Sequence, residues 1–186
     1  MRARSISYPN PGVGCIIVKH GKVVGRGWTA AGGRPHAEAA ALHQAGEKAR
    51  GATAYVTLEP CAHRSLRGPA CSDLLVEAGI ARVVAGVEDP DPRTAGNGLA
   101  RLREAGIETA LLASRAAEAS LAGYLMHARQ RRPHVTMKIA MSLDGRIAMA
   151  SGESQWITGD VARAHVHARR AGADAILVGG GTWRSD

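Results

Sequence analysis

At 186 residues the chain is long enough to bury a real core, and its length admits one domain or two. Its net charge of +8 is dispersed, and an aromatic content of 3% with no Phe offers few stacking faces, which argues against nucleic acid and suits a phosphorylated small molecule. No apolar run reaches membrane-spanning length, no apolar stretch opens the chain, and three cysteines give no disulfide framework, so a reducing, cytoplasmic setting without a membrane is expected.

Residues 13–18 and 22–28 read as a β-hairpin turning at His20-Gly21, with Cys15 in the first apolar run and therefore in the core. Pro35-His36 opens an Ala-rich helix running to about residue 50 and closed by Gly51. Residues 54–58 form a buried strand that delivers Glu59-Pro60-Cys61. After a loop with His63, Arg67 and Pro69, a second helix starts near Cys71 and stops at Gly79. A strand at 82–87, a helix at 98–105 and a strand at 107–112 follow, then a helical stretch from Arg115 to about Gln130. The basic break Arg131-Arg132-Pro133 marks a domain boundary, dividing the chain into residues 1–132 and 133–186. Strand–helix alternation of this kind makes an α/β fold, a sheet with helices on both faces.

The chemistry lies in His36-Ala37-Glu38, Glu59-Pro60-Cys61 and Cys71. Taken singly, such a His is a helix cap and such a Cys a small hydrophobe. In this order they match zinc nucleobase deaminases, in which H-x-E is followed by P-C and a further Cys, and the Glu is acid/base rather than ligand. Two thiolates and a neutral imidazole suit one Zn²⁺ per chain and leave a fourth position for water, whose pKa the metal lowers to about 7. Glu38 is then the catalytic proton shuttle, and His36, Cys61 and Cys71 are the metal ligands. All three ligands fall at or near helix starts, where the positive end of the dipole favours thiolate over thiol.

Longer stretches carry a family resemblance. Pro9-Asn10-Pro11-Gly12-Val13-Gly14-Cys15, Pro35-His36-Ala37-Glu38, the run from Ala54 to Cys61, and Asp89-Pro90-Asp91-Pro92 with Gly96 and Gly98 resemble the bifunctional deaminase–reductases of riboflavin biosynthesis. The resemblance implies a cytidine-deaminase-like three-layer α/β/α sandwich followed by the first part of a dihydrofolate-reductase-like domain. It implies zinc-dependent deamination of a phosphoribosylated diaminopyrimidine, with Asn10 and His63 orienting the substrate and Arg67 binding its phosphate. Nucleic-acid deaminases space their cysteines C-x-x-C. Here nine residues separate Cys61 from Cys71, resembling the family's C-x-H-x-G-(Lys/Arg)-T-P-P-C loop. Arg67 takes the basic position and Gly68 that of the Thr, with one residue inserted ahead of Arg67 and the loop Gly blurred by Ser65-Leu66.

From Pro133 to Ala148 the chain resembles the start of the family's reductase, and Ser154-Gln155-Trp156-Ile157-Thr158 extends the match. The resemblance puts Ala140, Trp156, Thr182 and Asp186 on the NADPH side and Ser154 and Arg170 on the substrate side. Only two strands and the helix between them are expected of that half, too little to close a cofactor cleft, so no NADPH-dependent reduction by this chain is expected. Free strand edges suggest a homo-oligomer. Two rival classes are a nucleic-acid or nucleoside deaminase, opposed by the cysteine spacing, and a non-catalytic paralogue using zinc as a staple. Glu38 opposes the second, since a structural site fills all four positions with protein ligands.

Overall fold

A two-residue turn sets up the sheet. His20 and Gly21 both adopt positive φ (48° and 72°), the type I′ geometry that matches strand twist, and join β1 (Gly14–Lys19) to β2 (Lys22–Trp28) as an antiparallel hairpin. The computed structural model describes residues 6–63 and 65–185, and divides into two units, one ending at His134 and one beginning at Val135.

In the first unit β1 also pairs antiparallel with β3 (Thr53–Leu58), while β3, β4 (Arg82–Val87) and β5 (Glu108–Leu111) run parallel. The sheet order is β2-β1-β3-β4-β5. Parallel neighbours need crossovers, and α2 (Cys71–Glu77) and α3 (Asn97–Glu104) supply them. Burial follows position in the sheet. Ala54, Val56 and Leu58 of β3 are buried and alternate with exposed Tyr55, whereas β4 is buried at Val83, Val84, Ala85 and Val87, as a strand covered on both faces must be. The second covering layer is α4 (Arg115–Ser120), whose Ala117 packs on Gly86.

The Ala-rich helix is shorter than its composition suggests. α1 spans Ala37–Ala45 and stops at Gly46, which takes φ 54°, and a 3₁₀ turn over Gly46–Ala49 carries the chain on. The stretch after residue 115 is likewise two helices, α4 and α5 (Ala122–Gln130), parted at buried Leu121 where φ reaches −106°.

Small residues let α1 lie almost on β2. A Cβ on Gly27 would sit 2.1 Å from the Ala37 carbonyl oxygen, and one on Gly25 would sit 2.2 Å from that of Ala41. The two strand glycines therefore set the height of α1, and with it His36 and Glu38. Gly27→Ala is expected to cost about 2–3 kcal/mol, as overpacking against backbone does. Chemical denaturation measures it, and an unchanged midpoint would show that α1 shifts without resistance.

The second unit carries α6 (Asp160–Arg170) and α7 (Gly180–Ser185). Among its described residues none is buried and none is in a strand, in contrast to the two strands expected from the sequence. An apolar segment becomes a strand only beside a hydrogen-bonding neighbour. Ile176, Leu177 and Val178 have none among the described residues and form no strand, and Leu177 is fully exposed. No helix among the described residues is long and apolar enough to cross a membrane.

Candidate metal centre and active site

The site forms where β3 ends and two helices begin. His36 caps α1, Cys71 opens α2, and Cys61 lies three residues beyond the last residue of β3. The imidazole Nδ1 is 3.2 Å from the Cys71 Sγ and 3.7 Å from the Cys61 Sγ. Among the described residues, these three form the one His/Cys/Asp/Glu group whose ligand atoms all lie within 4.8 Å of one another. Two buried soft sulfurs and one half-buried imidazole nitrogen, converging, are the donor set of a zinc site with an open position.

Backbone and side chains hold each donor. The Cys71 N–H donates to the Cys61 Sγ (3.3 Å), and both the N–H and the hydroxyl of Ser72 donate to the Cys61 carbonyl (3.2 and 3.1 Å). The other ring nitrogen of His36 lies 3.0 Å from the Asn10 amide, which also donates to the Gly33 carbonyl. Such contacts orient a ligating ring. The Cys61 thiol is pushed down to about 4, chiefly by its hydrogen bond with Cys71. The same bond, with burial, pushes Cys71 well up. The sequence argument from helix starts expects both thiols low; without a metal only Cys61 is lowered, and a divalent cation held by both would displace the Cys71 proton as well.

Glu38 is 3% exposed. Burial pushes its carboxyl above the usual range, while bonds to its own backbone N–H and to Cys71 pull the other way. A cavity of about 330 Å³ opens beside the ligands, lined by Arg34, His36, Arg67, Gly68 and Cys71 among others. Arg67 donates to the Gly32 carbonyl. The His63 Nδ1 lies 3.4 Å from the Thr94 hydroxyl, which is fully buried.

Glu59 has no role in the sequence reading, although it stands inside its most specific motif. It is 2% exposed, and its carboxylate accepts from the N–H groups of Asp89 (3.2 Å), Gly96 (3.0 Å) and Leu99 (3.0 Å). Gly96 caps α3, so this carboxylate complements the positive end of that helix and ties it to the segment before Cys61. Gly98 permits the approach, since a Cβ there would meet the Pro60 carbonyl oxygen at 2.0 Å. The Asp89-Pro90-Asp91-Pro92 run is held likewise, with the Tyr124 hydroxyl donating to Asp89 (2.5 Å).

The reductase-side residues all lie in the second unit. Ala140 is in a segment without regular secondary structure, Ser154 and Trp156 precede α6, Arg170 ends it, and Thr182 is in α7. The Arg163 guanidinium stacks over Trp156, 4.4 Å from the ring centre. Asp186 lies outside the described residues.

Residues 1–87 match the family described as the cytidine and deoxycytidylate deaminase zinc-binding region, and residues 133–186 match the RibD C-terminal domain. The riboflavin biosynthesis protein RibD of Escherichia coli (strain K12) is 52% identical over all of this chain and 50% of its own length. That of Haemophilus influenzae is 55% identical, over 91% of this chain and 45% of its own length. The crystal structure of a diaminohydroxyphosphoribosylaminopyrimidine deaminase/5-amino-6-(5-phosphoribosylamino)uracil reductase from Thermotoga maritima superimposes with a TM-score of 0.89 at 40% identity, covering all of this chain and 53% of that one. The chain therefore spans about half the length of the relatives it matches, and its sheet and helices form a cytidine-deaminase-like α/β fold.

Proposed function

We propose that the chain acts as the RibD proteins of riboflavin biosynthesis that it resembles do, and that it hydrolyses an amino group from 2,5-diamino-6-(5-phosphoribosylamino)pyrimidin-4-one, giving 5-amino-6-(5-phosphoribosylamino)uracil and ammonia. The observation that carries the reading is the convergent trio of half-buried His36 and buried Cys61 and Cys71 with the Glu38 carboxyl against it. Zinc, when held by that trio, supplies a Lewis acid that makes water nucleophilic near neutral pH.

The chain's own residues do the rest. Glu38 accepts a proton from the attacking water and returns it to the departing amino nitrogen, so the carbon–nitrogen bond breaks with ammonia as leaving group. Its burial excludes bulk water from that exchange. Asn10 sets the His36 ring, and His63, beside the Thr94 hydroxyl, is the residue that the family resemblance gives to substrate orientation. Ser154 and Arg170 on the ribosyl side, and Ala140, Trp156, Thr182 and Asp186 toward NADPH, belong to the reduction that follows in the family. Three free cysteines, two of them ligands, support a reducing, cytoplasmic setting. Ile16 and Tyr55, paired across β1 and β3 and both exposed, support a homo-oligomer.

Ammonia release from the phosphoribosylated diaminopyrimidine by the zinc-loaded protein tests the reading. Absence of release, or faster deamination of cytidine or single-stranded DNA, would sink it. Arg67→Ala is expected to lower kcat/KM for the phosphorylated substrate about tenfold to a hundredfold, the effect of losing one or two charge-assisted hydrogen bonds. The dephosphorylated form should lose far less. Equal losses would show that Arg67 does not read the phosphate.

A further inference from the structure

The cavity beside the metal ligands has two guanidinium groups in its wall, and only Arg67 is accounted for. Arg34 reaches across from the other side, two residues before His36. Its Nη1 points to the Pro69 carbonyl at 3.5 Å and its Nη2 to the Ser65 hydroxyl at 3.3 Å, while Arg67 donates back to the Gly32 carbonyl at 2.6 Å. The two side chains thus cross between the 31–36 segment and the 65–70 segment in opposite directions. Each guanidinium has five N–H donors. The three bonds described leave most of the ten uncommitted, and among the described residues neither group is in an ion pair.

Gly68 makes room for this crossing. Its φ is 143°, which side chains rarely adopt, and a Cβ there would lie 2.7 Å from the Arg34 Nη1. The sequence departs from the family pattern at this position, with Gly in place of Thr, and the space so released is the space that Arg34 fills. Two like charges converge here on one open cavity with no acidic partner among the described residues. Such an arrangement is costly when empty and is relieved by an anion. Planar forks on opposite sides of a phosphate match its oxygens as a single point charge does not.

We infer that Arg34 is a second phosphate-reading residue, pairing with Arg67 to grip the phosphate monoester of the substrate and set the preference for phosphorylated over dephosphorylated pyrimidine. The inference rests on the deaminase reading for its substrate but not for its ligand chemistry. Arg34 touches no reacting atom, so its effect belongs in substrate selection rather than in turnover.

The experiment has two arms. In the first, the ratio of kcat/KM for phosphorylated over dephosphorylated substrate is compared in the wild type, Arg34→Lys and Arg34→Ala, with zinc content and melting temperature as checks on the fold. The ratio should fall about tenfold or more in Arg34→Ala and less in Arg34→Lys, which keeps the charge without the fork. In the second, ribose 5-phosphate and plain ribose are titrated into the wild type and Arg34→Glu with no reaction required. Ribose 5-phosphate should bind the wild type in preference to ribose, and charge reversal should abolish that preference. An unaltered ratio in Arg34→Ala, or ribose 5-phosphate binding untouched by Arg34→Glu, overturns the inference. If ribose 5-phosphate binding depends on Arg34 while no ammonia is released from the pyrimidine, the anion site stands and the deaminase reading falls.

Discussion

Glu38→Gln should retain its zinc and lose about a thousandfold or more in turnover, with KM little changed. Glutamine keeps the size and hydrogen-bonding shape of the side chain but cannot accept and return a proton. General acid–base catalysis is worth typically 10²–10⁴-fold, and here one group serves both the entering water and the leaving nitrogen. The expected split between kcat and KM follows from its role, because Glu38, buried at the first turn of α1, moves protons in the reacting step while Arg67 supplies the binding of the phosphate. Stability should hold or rise slightly, since a neutral amide avoids the desolvation that pushes the Glu38 carboxyl up. Metal analysis and steady-state ammonia release on the same preparation settle the matter. A Glu38→Gln protein that turns over at near the wild-type rate would show that another group moves the protons.

The candidate ligands are legible in the sequence because the chemistry proposed for them needs particular residue types in a particular order. Nothing else accounts for His36, Glu38, Cys61 and Cys71 together, and the structure brings the three donors within 4.8 Å. What the sequence does not show is the support behind them. Glu59 looks like a spacer before Pro60-Cys61, yet it gathers three backbone N–H groups from a segment 30 to 40 residues away. Arg34 has no role in the sequence reading, and only the fold places it with Arg67 in the wall of one cavity. Both depend on long-range geometry that no local pattern encodes. The signal for Glu59 lay in its position, an acidic residue between a buried strand and a proline.

The fold divides in the same way. The hairpin, β3, α2, β4, α3 and β5 are all marked by alternation, apolar runs or a closing Gly, and each lies within one residue of its expected start or end. The helix ends fail where a glycine serves two purposes. Gly46 rather than Gly51 stops α1, because Gly46 takes the positive φ directly after Ala45, and Gly51 instead turns the chain into β3. The segment after residue 134 shows the limit of local pattern. Its apolar residues are spaced as a strand requires, but a strand is a relation between two chains of backbone, and the described residues there supply no second one.

Cys71→Ala should lose the metal altogether, and with it any dependence of stability on zinc. Cys71 is 1% exposed at the first residue of α2, and its sulfur is the closer of the two to the His36 Nδ1. Removing it leaves one thiolate and one imidazole, a pair without the charge or the geometry to hold Zn²⁺ in competition with water. Zinc that binds the folded site in preference to the unfolded chain should add to wild-type stability by mass action, about 4 kcal/mol when free zinc exceeds its dissociation constant a thousandfold. Chelation should therefore lower the wild-type melting temperature by several degrees. The variant should melt near the chelated wild type and not respond to chelator at all. Cys61→Ala should behave alike in metal content but lose more stability, because the Cys61 sulfur also accepts the Cys71 N–H, which would be left unpaired in a buried position. Zinc content by elemental analysis, with melting curves before and after chelation, distinguishes a ligand from a packed thiol. One equivalent of zinc retained in Cys71→Ala would remove Cys71 from the ligand set and require a different third protein donor in its place.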